Sequence, residues 1–173
     1  MNIGAVYAGK GDLENALVQF QKALEIQTRV FGSDHPDVAM SYGNLGNVYD
    51  DQGQYERALE NHQKAFEIFI KVSGQDHPDV ATSYLNIGAV YGRKGDLENA
   101  LLQFQKALEI QTRVFGSDHP DVATSYQNLA AVYQRQGNHV QTKEMATKAH
   151  HIFLKKLGPD HPQTQGLNPF VDE

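Results

Sequence analysis

Apolar positions along the chain fall on helical stripes rather than on alternating strand positions. Val80, Tyr84, Ile87, Gly88 and Tyr91 step by four, three, one and three, which is one face of a 3.6-residue helix. Leu97, Ala100, Leu101, Phe104, Ala107 and Leu108 form a second stripe of the same kind. Gly95 and Asp96 separate the two, and Asp96 is placed to accept hydrogen bonds from the free N–H groups that open the second helix. That helix is predicted to end near Phe115 and Gly116, where glycine is free to take a left-handed conformation. Pro120 then occupies the first turn of the next helix, where its missing N–H does no harm.

The same pattern returns along the chain. Tyr7, Tyr49, Tyr91 and Tyr133 are spaced by 42, and so are Ile3, Leu45, Ile87 and Leu129. Gly11, Gly53, Gly95 and Gly137 keep this spacing, as do the Asp-His-Pro tripeptides that begin at Asp34, Asp76, Asp118 and Asp160. A fixed period of this size is the mark of a stacked repeat architecture.

Tyr84, Ile87, Gly88, Tyr91, Gly95, Ala100, Phe104 and Ala107 resemble the tetratricopeptide signature: an aromatic, Leu-Gly and Tyr, then Ala, Phe and Ala. The usual unit has about 34 residues, and this one is longer by roughly two helical turns. The long form, with its Asp-His-Pro-Asp-Val-Ala linker, looks like the repeats of kinesin light chains. The resemblance covers residues 1–162 and implies an all-α, right-handed superhelical solenoid of αα-hairpins. The expected organisation is a truncated first repeat over 1–33, repeats over 34–75 and 76–117, a degenerate capping repeat over 118–162 and a tail over 163–173. Met1 falls where the first helix of a unit is already under way, so the chain is expected to be cut from a longer array. In the fourth unit, Ala130, Thr142 and Ala146 replace the Gly, Ala and Phe of the third, and the second helix, around His139 to Leu157, is more polar. The tail breaks the pattern and is expected to be either mobile or docked on a neighbour.

The resemblance further implies that the first helix of each unit lines a concave groove holding a peptide or partner protein. By position, the inward residues are Met40, Gly43, Asn47, Asp50 and Asp51 in the second unit. The third contributes Thr82, Leu85, Ala89, Gly92 and Arg93, and the fourth Thr124, Gln127, Ala131, Gln134 and Arg135. Ala5, Ala8 and Gly9 remain from the first. Asn2, Asn44, Asn86 and Asn128 form a ladder that either holds a ligand's backbone amides or bonds adjacent helices.

Residues 2–43 and 86–127 nearly repeat one another, differing only at Ala8/Gly92, Gly9/Arg93, Val18/Leu102, Met40/Thr124 and Gly43/Gln127. All but the Val18/Leu102 pair fall on the predicted inner face. Glu14, Gln19, Lys22, Glu25 and Arg29, expected to be equally exposed, are unchanged in the other copy. The pattern favours diversification toward a ligand. Small residues in the groove leave room for a peptide backbone or helix. Leu85 and Met40 offer apolar contact, Arg93 and Arg135 offer charge-assisted bonds to carboxylates, and Asp50 and Asp51 form an acidic lip. Tetratricopeptide domains that clamp a chaperone's terminal carboxylate carry Lys on this face. Gly43, Leu85 and Gln127 stand there instead, which argues against such a ligand.

Composition narrows the alternatives. Hydrophobic residues make up 40% and charged residues 21%, as in folded soluble domains. The net charge of −6 and the lack of a Lys/Arg block argue against nucleic acid. No apolar run reaches membrane-spanning length. There is no cysteine, which excludes disulfides and thiolate sites and is compatible with the expected cytoplasmic location. His35, His77, His119 and His161 recur one per unit. Successive units lie on the order of 10 Å apart, so these residues cannot share an ion; capping and turn formation by Asp-His-Pro is the expected role. His150 and His151 diverge around their helix, and no third ligand accompanies His62 or His139. The serines recur with the repeat, and none is set apart with a His and an acid. No catalytic residue, metal or cofactor is expected. The alternative function is a self-associating spacer array within a larger signalling protein, assembled head to tail through the shared stacking interface.

Overall fold

A computed structural model describes residues 3–171. Asn2, the first rung of the asparagine ladder, and residues 172–173 of the tail lie outside the described residues. Ten helices, and no strands, are found among the described residues: α1 (Ile3–Gly9), α2 (Leu13–Phe31), α3 (Pro36–Asp51), α4 (Tyr55–Ser73), α5 (Pro78–Lys94), α6 (Leu97–Phe115), α7 (Pro120–Arg135), α8 (His139–Leu157), α9 (Pro162–Gln165) and α10 (Asn168–Val171). They divide into two compact units, one ending at Val90 and one beginning at Tyr91. The first holds α1 to α4 and most of α5. The second holds the end of α5 and α6 to α10.

Local chemistry sets the helix ends. Asp12, Asp96 and Asn138 each accept a hydrogen bond from the backbone N–H three residues on, at 3.2 Å, satisfying one open donor at the start of α2, α6 and α8. Gln54 opens α4 without a side-chain cap bond. The Asp-His-Pro segment also caps, and the capping atom belongs to the histidine. His35, His77 and His119 Nδ1 accept from the N–H groups of Asp37, Asp79 and Asp121 at 3.2 Å. The preceding aspartates reach elsewhere. Asp34 pairs with Lys71 at the end of α4, and Asp118 accepts from Lys155 at the end of α8 at 2.6 Å. α6 ends at Phe115 as expected, but Gly116 differs from the expected left-handed form. Its φ of 82° is joined to a ψ of 160°, a region essentially reserved for glycine.

The two helices of a hairpin meet through small residues. Ala16, Ala58 and Ala100 are fully buried near the start of the second helices. One turn later Phe20 covers Gly4 so closely that a Cβ there would lie 2.8 Å from the ring. Burying such a ring contributes on the order of 1.5–3 kcal/mol. In the second unit, Ala123, Ala130, Ala146, Ala149, Ile152 and Phe153 form the α7–α8 core. The tail docks onto it. Leu167 is buried in that core, Phe170 packs at its edge, and Thr164 Oγ1 donates to the Gly158 carbonyl at 2.9 Å.

Candidate functional site

α3 carries Met40, Gly43, Asn44 and Asn47 one to two turns apart, and α5 carries Asn86. Within the first unit these five border one cavity of about 250 Å³. Met40 is 52% exposed at its mouth. A Cβ added at Gly43 would meet nothing within 4 Å, so open space adjoins this glycine. Ala65 and Phe69 of α4 supply apolar wall, and Ser83 of α5 supplies a hydroxyl.

The base of the cavity holds a residue that the pattern reading did not place there. His62 is 1% exposed and lies face-on to Gly46, with Nδ1, Cε1 and Nε2 all 2.7–2.8 Å from where a Cβ would stand. Burial pushes its pKa down to about 4, because a charged imidazolium loses its hydration there. A signal for it was present in the sequence. His62 occupies the place held by Phe20, Phe104 and Ala146 in the other repeats, the one ring-nitrogen substitution in that series. Phe69 likewise stands where Gln27 and Gln111 stand in two other copies.

Leu85 and Ala89 are half-buried on α5 and lie outside the cavity lining. Of the acidic pair expected at the lip, Asp51 is exposed, whereas Asp50 is only 7% exposed and belongs to the interior. In the second unit, α7 presents Ala131, Gln134 and Arg135 to solvent, with Gln127 and Asn128 half-buried. Gly92 is buried and Arg93 exposed at the end of α5. The Arg135 guanidinium donates to the Gly92 carbonyl near the α5 C-terminus, which also accepts from the Gly95 N–H at 3.0 Å. It thus has a local structural bond as well as further donors facing water. Gln134 borders a separate cavity of about 550 Å³ with Thr142, Lys143 and Phe170.

Among the described residues, no three His, Asp or Glu side chains converge as metal ligands. No helix there is long and apolar enough to cross a membrane.

Solved structures share this fold. BtubC from P. vanneervenii superimposes with a TM-score of 0.81 at 25% identity, over 92% of this chain and 63% of its own. A Podosopora anserina protein of nearly identical TPR-like repeats, named after the kinesin light chain, gives 0.81 at 24% identity, over 98% and 80%. RapI in its apo form gives 0.78 at 18%, over 95% of this chain and 44% of its own. The chain thus spans less than two thirds of BtubC and of RapI. No curated protein sequence matches it. The family model described as tetratricopeptide repeat matches residues 1–71, 51–113 and 79–155. With its 42-residue period and helical hairpins, the chain belongs to the tetratricopeptide repeat family, whose fold is generally a non-enzymatic scaffold for protein interaction.

Proposed function

We propose that this chain, in a cytoplasmic setting, holds a peptide or a segment of a partner protein against the inner faces of α3, α5 and α7. The observation that carries this reading is the cavity in the first unit. Six of the residues placed on the inner face or the asparagine ladder border it (Met40, Gly43, Asn44, Asn47, Thr82 and Asn86), with apolar wall and side-chain amides able to bond a peptide backbone. The near-identical copies add support. Glu14, Lys22, Glu25 and Arg29 are all exposed yet unchanged between them, whereas Met40 and Gly43 differ. Free surface alone therefore does not explain where the differences lie.

The test is a combined variant, Leu85→Gln, Arg93→Glu, Gln127→Ala and Arg135→Glu, measured against peptides selected from a random displayed library. Affinity is expected to be lost while the far-UV circular dichroism stays unchanged. Tm should fall by only a few degrees, since the Arg135 bond to Gly92 is worth on the order of 1–2 kcal/mol. Retained affinity would refute this assignment of the surface.

A second reading has its own observation. Ile3, Val6 and Ile26 are 59%, 42% and 52% exposed, while their counterparts Leu45, Val48 and Ile68 are at most 8% exposed. An apolar face that is covered in one copy and open in another suits self-association, as in a spacer array. Light scattering distinguishes the two readings. Mass rising with concentration, and reversed by Ile26→Lys, supports association; a concentration-independent monomer refutes it.

A further inference from the structure

The second repeat departs from its neighbours at two buried places, and both departures open onto the same cavity. In two other hairpins a glutamine ties the second helix to the next one: Ser41 Oγ donates to Gln27 Oε1 and Ser125 Oγ to Gln111 Oε1, each at 2.5 Å. In the second repeat this place holds Phe69, and the matching Ser83 turns its hydroxyl onto the Asp79 carbonyl of its own helix at 2.9 Å. The ring that fills the hairpin interior elsewhere as Phe20 or Phe104 is here His62. The His62 side chain is only 1% exposed and lines the cavity, and burial is what lowers its pKa, with no hydrogen bond or ion pair contributing. A neutral imidazole on a cavity wall can take a hydrogen bond from whatever fills the space.

We propose that the cavity floored by His62 and Ser83 is a side-chain pocket that takes a tyrosine of the bound peptide. The inference rests on the peptide-binding reading and names the residue type that anchors there. At about 250 Å³ the space falls below the usual range for a free metabolite and suits a single large side chain. Its walls are apolar at Met40, Ala65 and Phe69, which suits an aromatic ring. Its floor offers a neutral imidazole and a hydroxyl oxygen, which suit a terminal O–H. Asp79 at the margin repels an acidic side chain, and a cation would meet a neutral ring rather than a carboxylate at the base. Asn44, Asn47 and Asn86 stand around the opening, where the amide groups of the peptide itself would pass.

The test uses the full chain and single blocked amino acids. N-acetyltyrosinamide, and its phenylalanine, lysine and aspartate counterparts, are titrated while the Met40 methyl and the Ser83 and Asn86 amides are followed by NMR. The tyrosine probe is expected to give saturable shifts at these groups. The phenylalanine probe should bind about fivefold more weakly, because it leaves the His62 ring without a partner. His62→Phe restores the residue of two sister repeats and should fold normally, yet lose the tyrosine response. Equal binding of tyrosine and phenylalanine, a preference for lysine, or an unaltered response in His62→Phe would each overturn the proposal. Peptides selected by the full chain separate this inference from the broader one. If they depend on the four-residue variant but not on His62, the tyrosine pocket fails and the groove reading stands. If they ignore the four-residue variant, the groove reading fails and the amino-acid titrations still decide the pocket.

Discussion

The α3–α4 and α7–α8 hairpins share one backbone plan and fill it in opposite ways. In the first, Gly46 faces His62, and the glycine makes room for a ring that a Cβ would strike at 2.7 Å. In the second, Ala130 and Ala146 occupy the matching positions, both buried, so a methyl group has been gained on one helix and a ring lost from the other. Two turns on, both hairpins carry a phenylalanine, but Phe69 lines a cavity with Ser83, whereas Phe153 is wholly buried in the α7–α8 core. The repeat plan therefore constrains summed volume at each layer rather than residue identity. Where the volume is met by a polar ring, the interior acquires a titratable group and a space beside it. The α7–α8 layer has no buried titratable ring at this place, and its apolar core instead accepts the tail through Leu167 and Phe170.

The largest test of this contrast is pH. The His62 pKa is lowered in the folded state, to about 4, so the unfolded chain binds more protons between that value and the usual 6.5. The stability contributed by the neutral ring is complete above pH 6.5, is lost as pH falls, and changes no further below about 4. The full loss is on the order of 3 kcal/mol. Urea denaturation at pH 7 and at pH 4 should show that loss in the native chain and a smaller one in His62→Phe. Equal losses in both would break the assignment of the ring to the interior.

Packing comes next in size. Gly46→Ala is expected to lower stability by about 2 kcal/mol, steric overlap outweighing the better helix propensity of alanine. Gly46→Ala combined with His62→Ala reproduces the Ala130/Ala146 pairing of the fourth repeat. It should be less destabilised than the sum of its single changes by at least ~1 kcal/mol. Strict additivity in that cycle would show that the two positions do not share a volume.

Gln111→Ala removes the buried bond to Ser125 and should cost about 1–2 kcal/mol. The matching change in the second repeat, Phe69→Ala, should instead enlarge the existing cavity and leave Ser83 satisfied on Asp79. The smallest effect has the opposite sign. Gln54→Asp supplies α4 with the cap that Asp12 and Asp96 supply to α2 and α6, and should raise stability by at most ~1 kcal/mol. A calorimetric Tm that does not rise would show that the bonds of Gln54 to Gln52 and Arg57 already replace the cap.

Much of this architecture was legible in the residues because the forces that set it are local. Asp96, Phe115 and Pro120 mark helix ends through bonds that reach only three or four residues, and the helices stop where those residues stand. The candidate surface was legible only in part. Met40, Gly43, Asn44, Asn47 and Asn86 do come together, but Asp50 turns inward and Arg135 bonds Gly92. A position on the inner stripe gives the direction of a Cα–Cβ bond, whereas the fate of a long polar side chain depends on which acceptors the neighbouring helix brings within reach.

The 42-residue period, the helical hairpins and their capping were determined by the sequence alone, since periodicity and short-range hydrogen bonds are encoded residue by residue. The cavity, the buried imidazole on its wall and the docking of the tail were decided by tertiary structure. Each is a difference between volumes brought from different segments of the chain: α3, α4 and α5 in one case, α7, α8 and the segment holding Leu167 and Phe170 in the other. A void has no residue of its own to announce it; it exists only where packed side chains fail to meet.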